Sequence, residues 1–319
     1  MSRYLRQMVL PQVGPKGQSR IEAAHVLIVG AGGLGVPALQ YLAGAGIGAI
    51  TLIDPDRVEE SSLHRQPAYR MKDIGQFKVR AAAQAVARLN PGTELLALPD
   101  RLTPANAPGL IARADLVLDC ADSYAASYTL SDACLVAEKP LISASALGMA
   151  GYVGGFCGDA PSLRALFPDP PDSSQTCASA GVIGPVVGML GCLQAQMALE
   201  VVLGLLPSPL GLLIRYQASR FTQFRFDNAP EQPGPRFIAR EEINPGDLVI
   251  DLRPTVEAPR KVTPGALRLP GYGPTGPLPQ PGQRAVLTCR SGLRAWRAAT
   301  DLAQRWPGDI TLLALGGEA

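Results

Sequence analysis

The chain has 319 residues, 47% of them apolar, and a formal net charge of +2. That length allows two hydrophobic cores, and so small a charge leaves no electrostatic footprint for nucleic acid or an anionic membrane. The six cysteines stand singly with no CxxC pair, which excludes a dense disulfide scaffold and favours a reducing cytoplasm. Residues 1–14 lack a charged region followed by an apolar run, so no secretory signal is expected there.

In chain order, residues 25–29 (HVLIV) predict a short buried strand, followed by a glycine turn and an alanine-rich helix over 34–45. Residues 49–53 predict the next strand, and 78–89 a helix that Asn90-Pro91-Gly92 stops. A strand over 116–118 runs into Asp119-Cys120, a helix covers about 125–137, and residues 141–143 form another strand. Strand and helix in alternation imply a mostly parallel sheet covered on both faces. After residue 150 the pattern changes: a strand over 152–156, a proline-rich crossing loop over 161–171, and a hairpin pattern over 212–226 predict an antiparallel extension. The apolar stretch 182–206 carries Pro185, Gln194, Gln196 and Glu200, which fits a buried helix better than a membrane span. Residues 229–240 are expected as a linker, dividing a unit over 1–228 from a smaller one over 241–319.

Gly30, Gly32, Gly33 and Gly35 fit G-x-G-x-x-G between a strand and a helix, where free helix N–H groups can meet phosphate oxygens. Asp54 closes the next strand at the place of a ribose-binding carboxylate. These residues alone specify a nucleotide and not a reaction, and taken by themselves they favour a nicotinamide dehydrogenase. The polar loop that follows, with Asp56, Ser62 and Arg65, and then Lys78 at a helix start, bring cations to the nucleotide, as a triphosphate attacked by a carboxylate requires. Asp122 lies just beyond a strand end, where it could hold Mg²⁺. His25 opens a buried strand as a core residue, and His64 is expected to be solvated.

RYLRQ (3–7), GAGGLG (30–35), DPDRVEESSLHRQ (54–66), GQFK (75–78), DCADS (119–123) and CASAGVIGPVVGMLGCLQA (177–195) resemble, in order, the motifs of the ThiF/MoeB/HesA family of E1-like enzymes. The resemblance implies a Rossmann-like α/β fold and adenylation, by Mg-ATP, of the C-terminal Gly-Gly carboxylate of a small ubiquitin-fold sulfur carrier. It also implies a homodimer. Asp54 would bind ribose, Arg65 and Lys78 phosphates, Asp122 Mg²⁺, and Arg6 the phosphates of the other subunit's ATP. Cys177 lies where some members keep a cysteine that handles the activated tail, although a lone cysteine also serves as a small hydrophobe. Members commonly hold zinc with two CxxC pairs; here Ser162 and Ala165 take the first pair's positions, so no structural zinc is expected. Ser62 and Ser123 stand where asparagine is usual. Pathways to molybdopterin, thiamine, thiolated tRNA and cysteine all use this chemistry.

The C-terminal unit resembles a compact rhodanese-like domain through residues 248–253, 264–266, 287–294 and 315–317. Cys289, between a strand and a helix and flanked by Arg290 and Arg294, sits where helix N–H groups and cations stabilise a thiolate. The resemblance implies that Cys289 accepts sulfane sulfur, with a donor such as a cysteine desulfurase, and passes it to the carrier. A scaffold that binds carriers without turnover is the alternative.

Overall fold

The structure, a computed structural model, describes residues 3–171 and 181–316. Five parallel strands, β1 (His25–Val29), β2 (Ala49–Ile53), β3 (Glu94–Leu98), β4 (Leu116–Asp119) and β5 (Leu141–Leu147), stand in the order β3-β2-β1-β4-β5. β6 (Ala150–Phe156), β7 (Leu212–Gln217) and β8 (Arg220–Arg225) continue the same sheet antiparallel. This is the expected Rossmann-like sheet with its extension.

The central strands β1 and β4 read as nearly unbroken apolar runs because helices cover both faces. Val26 and Ile28 of β1 point into one core cluster, while Leu27 and Val29 point into a second on the opposite face. β4 divides likewise, with Leu116 and Leu118 on the first face and Val117 on the second. The helix Gly35–Ala45 ends in Gly46, whose φ of +96° is the left-handed cap that glycine supplies without strain. The long apolar helix, Gly184–Leu203, buries Val186, Val187, Leu190 and Met197 against the first core. Its Gln194 is fully buried and donates to Asp119 O at 2.9 Å and Ile142 O at 3.2 Å. By length and composition that helix could cross a membrane, but half of its apolar window is buried inside the protein.

A second sheet contains β9 (Arg236–Phe237), β10 (Leu248–Asp251), β11 (Leu267–Arg268), β12 (Ala285–Cys289) and β13 (Ile310–Ala314), all parallel in the order β11-β10-β12-β13-β9. Its start differs from the expected linker over 229–240. β9 lies inside that stretch and pairs with β13, and Phe237, Ile238 and Ala239 are buried. A strand of two residues is too short to leave a period in the sequence. β3 and the helix Ala107–Ala112 also lie in a region without a predicted element, and the crossing loop contains a short helix, Leu163–Leu166. β3 is an edge strand in which no residue is fully covered, so its pattern is weak.

Phe156 is fully buried in β6 and packs on Phe226, ring centroids 5.2 Å apart. Replacing it by alanine is expected to cost about 3–5 kcal/mol, read as a lowered urea midpoint at unchanged slope.

Candidate active site

The glycine turn lies between the carboxyl ends of β1 and β4, where the strand order reverses and α/β sheets open a crevice. Gly30 has φ +101°, and a Cβ there would stand 2.5 Å from Cys120 O. A Cβ on Gly35 would stand 1.9 Å from Gly30 O, and one on Gly33 would stand 2.4 Å from Val187 Cγ1. Gly32 differs, because the nearest atom to its Cβ position is Gln66 Nε2 at 3.9 Å. Three glycines are therefore required by protein neighbours, while the fourth faces open space.

Asp54 joins the turn to β2. Its Oδ2 accepts from Ala31 N and its Oδ1 from Asp56 N, both at 2.7 Å. Burial pushes its carboxyl up, opposed by the charge of Lys78 and by these two amide bonds. Lys78 donates to Asp56 Oδ2 at 2.7 Å; its side chain is 10% exposed and that of Asp56 60%. A cavity of ≈ 410 Å³ lined by the apolar Ile53, Leu98, Pro99 and Leu110 and the polar Asp100 and Asn106 opens beside Asp54, whose N–H donates to Leu98 O. Its apolar walls next to a ribose-type carboxylate suit a heterocyclic base.

The loop after β2 folds back over the turn. Tyr69 Oη donates to Ala31 O at 2.8 Å, and Arg65 O would lie 3.4 Å from a Cβ on Gly33. The guanidinium of Arg65 donates to Ser61 O at 2.9 Å and lies 3.0 Å from His64 Nε2. Ser62 is buried, and its carbonyl accepts from the N–H groups of Arg65 and Gln66, so it shapes the loop. Gln66 went unnoticed in the sequence. It is 1% exposed, borders Gly32, and its Oε1 has no partner among the described residues. Its place in SSLHRQ, directly after Arg65, is the signal that could have found it.

On the other side of the crevice, Asp119 is fully buried. Its carboxylate accepts from Ser143 Oγ at 2.8 Å and Ala121 N at 3.1 Å. Burial also raises the Cys120 thiol, with the Asp119 charge adding to the effect. Asp122 is exposed three residues beyond the end of β4. Among the described residues no group of three or more His, Cys, Asp or Glu could hold a metal alone. Mg²⁺, however, is commonly held by one or two carboxylates together with substrate phosphates. The exposed carboxylate of Asp122 fits that arrangement.

The structure thus brings Gly30, Gly32, Gly33, Gly35, Asp54, Asp56 and Lys78 to one crevice, with the backbones of Ser62 and Arg65 on its rim and Asp122 across it. Arg6 is elsewhere. Its short helix, Leu5–Met8, packs where the helix Gly35–Ala45 ends, with Gln7 Nε2 on Ala45 O at 2.8 Å. Those 11 residues place Arg6 about 16 Å from the turn of its own chain. Cys177 lies outside the described residues, and Cys289 ends β12 in the second sheet. Its Sγ accepts from Gly292 N at 3.2 Å and Ala295 N at 3.4 Å, at the start of the helix Leu293–Ala303.

The description "ThiF family" matches residues 4–235. The chain belongs to the ThiF family. The bovine (Bos taurus) adenylyltransferase and sulfurtransferase MOCS3 is 47% identical over 221 residues, covering 68% of this chain and 49% of that protein. The adenylyltransferase and sulfurtransferase uba4 of Aspergillus fumigatus is 47% identical over 212 residues, 63% of this chain and 43% of its own. The chain therefore spans about half the length of the curated relatives it matches. The structure of E. coli MccB with ATP superposes with a TM-score of 0.64 at 21% identity, over 73% of this chain and 72% of that one. That likeness concerns the fold of this ThiF family member.

Burial holds the Asp119 carboxyl above its ordinary value of 3.8, against the hydrogen bonds of Ser127, Ser143 and Ala121. The folded chain then keeps a proton that the unfolded chain has released, so this stability is full below pH 3.8 and is lost as pH rises through the folded pKa. The urea midpoint is expected to fall as pH rises above about 4, and to fall less in Asp119→Asn. Parallel profiles for the two proteins would contradict the assignment.

Proposed function

We propose that the chain adenylates the C-terminal Gly-Gly carboxylate of a small ubiquitin-fold sulfur carrier with Mg-ATP, and that its second unit, rhodanese-like, supplies sulfur for a thiocarboxylate. The observation that carries this reading is the single crevice shared by the open Gly32, the carboxylate of Asp54, the Asp56–Lys78 pair and Asp122. A lysine and a loop arginine beside the phosphates suit the greater charge of a triphosphate that a carboxylate must approach. The names of the relatives, adenylyltransferase and sulfurtransferase, support the same chemistry.

In this mechanism the base enters the cavity beside Asp54, and the ribose hydroxyls donate to its carboxylate. The triphosphate lies along the glycine turn, with Gly32 leaving room for it and the neighbouring Gln66 Nε2 placed to donate to a phosphate oxygen. Lys78, swinging from Asp56, and Arg65, swinging from Ser61 O, neutralise the phosphate oxygens. Asp122 would hold Mg²⁺, which would supply further neutralisation of the polyphosphate charge. A carboxylate oxygen of the carrier attacks the α-phosphorus, the bond to the β-phosphate breaks, and pyrophosphate leaves. Arg6, remote from the turn of its own chain, serves the nucleotide of a partner chain in a homodimer. The sulfur comes to Cys289 from a donor such as a cysteine desulfurase, in the cytoplasm. No structural zinc is invoked, since Ser162 at a usual ligand position is engaged by Glu231.

Carrier-dependent exchange of labelled pyrophosphate into ATP tests the adenylation. Lys78→Ala and Asp122→Ala are each expected to slow it by about 10²-fold or more. Exchange at the parental rate in both variants would sink the reading, and a chain that binds carrier without any exchange would establish the scaffold instead.

A further inference from the structure

We infer that Cys289 delivers sulfur to the nucleotide site of its own chain rather than to that of a partner, an inference that rests on the function proposed above. Three observations carry it. The connecting segment is clasped to the first unit along its length. Phe226 is buried in the second core cluster of the large sheet with Ala229 packed against that cluster, and both Ser162 N and Ser162 Oγ donate to Glu231, at 2.6 and 2.5 Å. Arg164 then donates to Pro235 O at 3.1 Å while its guanidinium grips Asp132 at 2.6 and 2.8 Å. The next residue, Arg236, already belongs to β9. No slack remains for the second unit to reach another chain while this clasp holds.

The second observation is direct packing of the Cys289 loop on the element that follows Asp122. A Cβ on Gly292, whose N–H binds Cys289 Sγ, would stand 3.3 Å from Ala125 Cβ. Ala125 and Tyr128 of the helix Tyr124–Val136 share one core cluster with Phe237, Cys289 and Trp296. The Tyr128 and Trp296 rings lie 4.6 Å apart, and Trp296 Nε1 donates to Asp169 Oδ1 at 3.0 Å. Asp122 precedes Ala125 by three residues, about 10 Å of chain at full extension.

The third is a contact at the far end of the same edge. Arg101, three residues beyond β3, puts its guanidinium against Gly316, whose N–H donates to Arg290 O at 2.7 Å. The carboxyl edges of the two sheets therefore face each other, with the nucleotide crevice on one side and the Cys289 loop on the other. Cys289 is buried, whereas Arg290 and Ser291 beside it are exposed and form the rim by which a carrier tail approaches.

Across this seam the terminal sulfur of a Cys289 persulfide attacks the carbonyl carbon of the acyl adenylate. A C–S bond forms, the C–O bond to the phosphate breaks, and AMP leaves. A small-molecule thiol then attacks the Cys289 sulfur and releases the thiocarboxylate. The mixed disulfide left on Cys289 is reduced by a second thiol equivalent.

The test co-expresses full-length Lys78→Ala and Cys289→Ser chains and supplies a small ubiquitin-fold carrier ending in Gly-Gly, ATP, Mg²⁺, thiosulfate and dithiothreitol. Thiocarboxylate is read by intact mass. Delivery within a chain predicts less than a tenth of the wild-type yield from the mixture. Recovery to about a quarter of it, the statistical value for random pairing in a two-fold dimer, overturns the inference and leaves the proposed function standing. Ala125→Arg, which wedges the seam, is expected to keep pyrophosphate exchange within twofold and to lower thiocarboxylate at least tenfold. Undiminished thiocarboxylate in that variant also overturns the inference. A wild-type chain that exchanges no pyrophosphate removes the underlying function, and this inference with it.

Discussion

The architecture depends on one close approach of backbone to backbone. At the reversal point of the large sheet, Gly30 lies against the carbonyl of Cys120, and Gly35 lies over the carbonyl of Gly30. No side chain fits at either place, so β1 and β4 end close together and the helix Gly35–Ala45 starts directly above the turn. The carboxylate of Asp54 then finds Ala31 N within reach, Tyr69 finds Ala31 O, and the helix Gly184–Leu203 seats Val187 on Gly33. Each of these contacts presumes the same tight turn. A crevice so built offers N–H groups at a helix start, which is where a polyphosphate is best accommodated.

Charge around the crevice is arranged so that nucleotide can replace internal partners. Lys78 is nearly buried but bonded to a carboxylate that is mostly exposed, and Arg65 donates to a loop carbonyl at the surface. Neither cation would lose a deeply buried partner on turning towards phosphate, so the exchange costs little beyond side-chain ordering. Asp119 behaves differently. It is enclosed by Ser143 and Ala121 beneath the crevice and holds the end of β4, while Asp122 remains free at the surface. Two carboxylates in DCADS thus take separate roles because the strand ends between them.

Much of the site was legible in sequence. The placement of the glycine turn, Asp54, Lys78 and Asp122 at strand ends and a helix start was readable because a strand, a turn and a helix start leave periodic and compositional marks. The helix over Lys78–Leu89 has the bounds that its Asn-Pro-Gly stop predicts. Gln66 was less visible, since a glutamine in a polar loop looks solvated until the loop folds back and buries it. β3 and β9 were missed for related reasons: one is a half-covered edge, and the other is two residues long and defined by its neighbour. Arg6 carried a role by resemblance alone, and its distance from the turn of its own chain emerged only when the helices were packed.

Sequence by itself determined the local elements, the nucleotide turn and the types of residue around it, because these follow from short-range periodicity and from the backbone freedom of glycine. Tertiary structure decided what long-range contact decides. It put β9 into the second sheet, clasped the connecting segment through Ser162, Glu231 and Arg164, and brought Gly292 against Ala125. Those pairings join residues 69 to 167 positions apart along the chain, and nothing in a local pattern records which distant surface will cover a buried side chain.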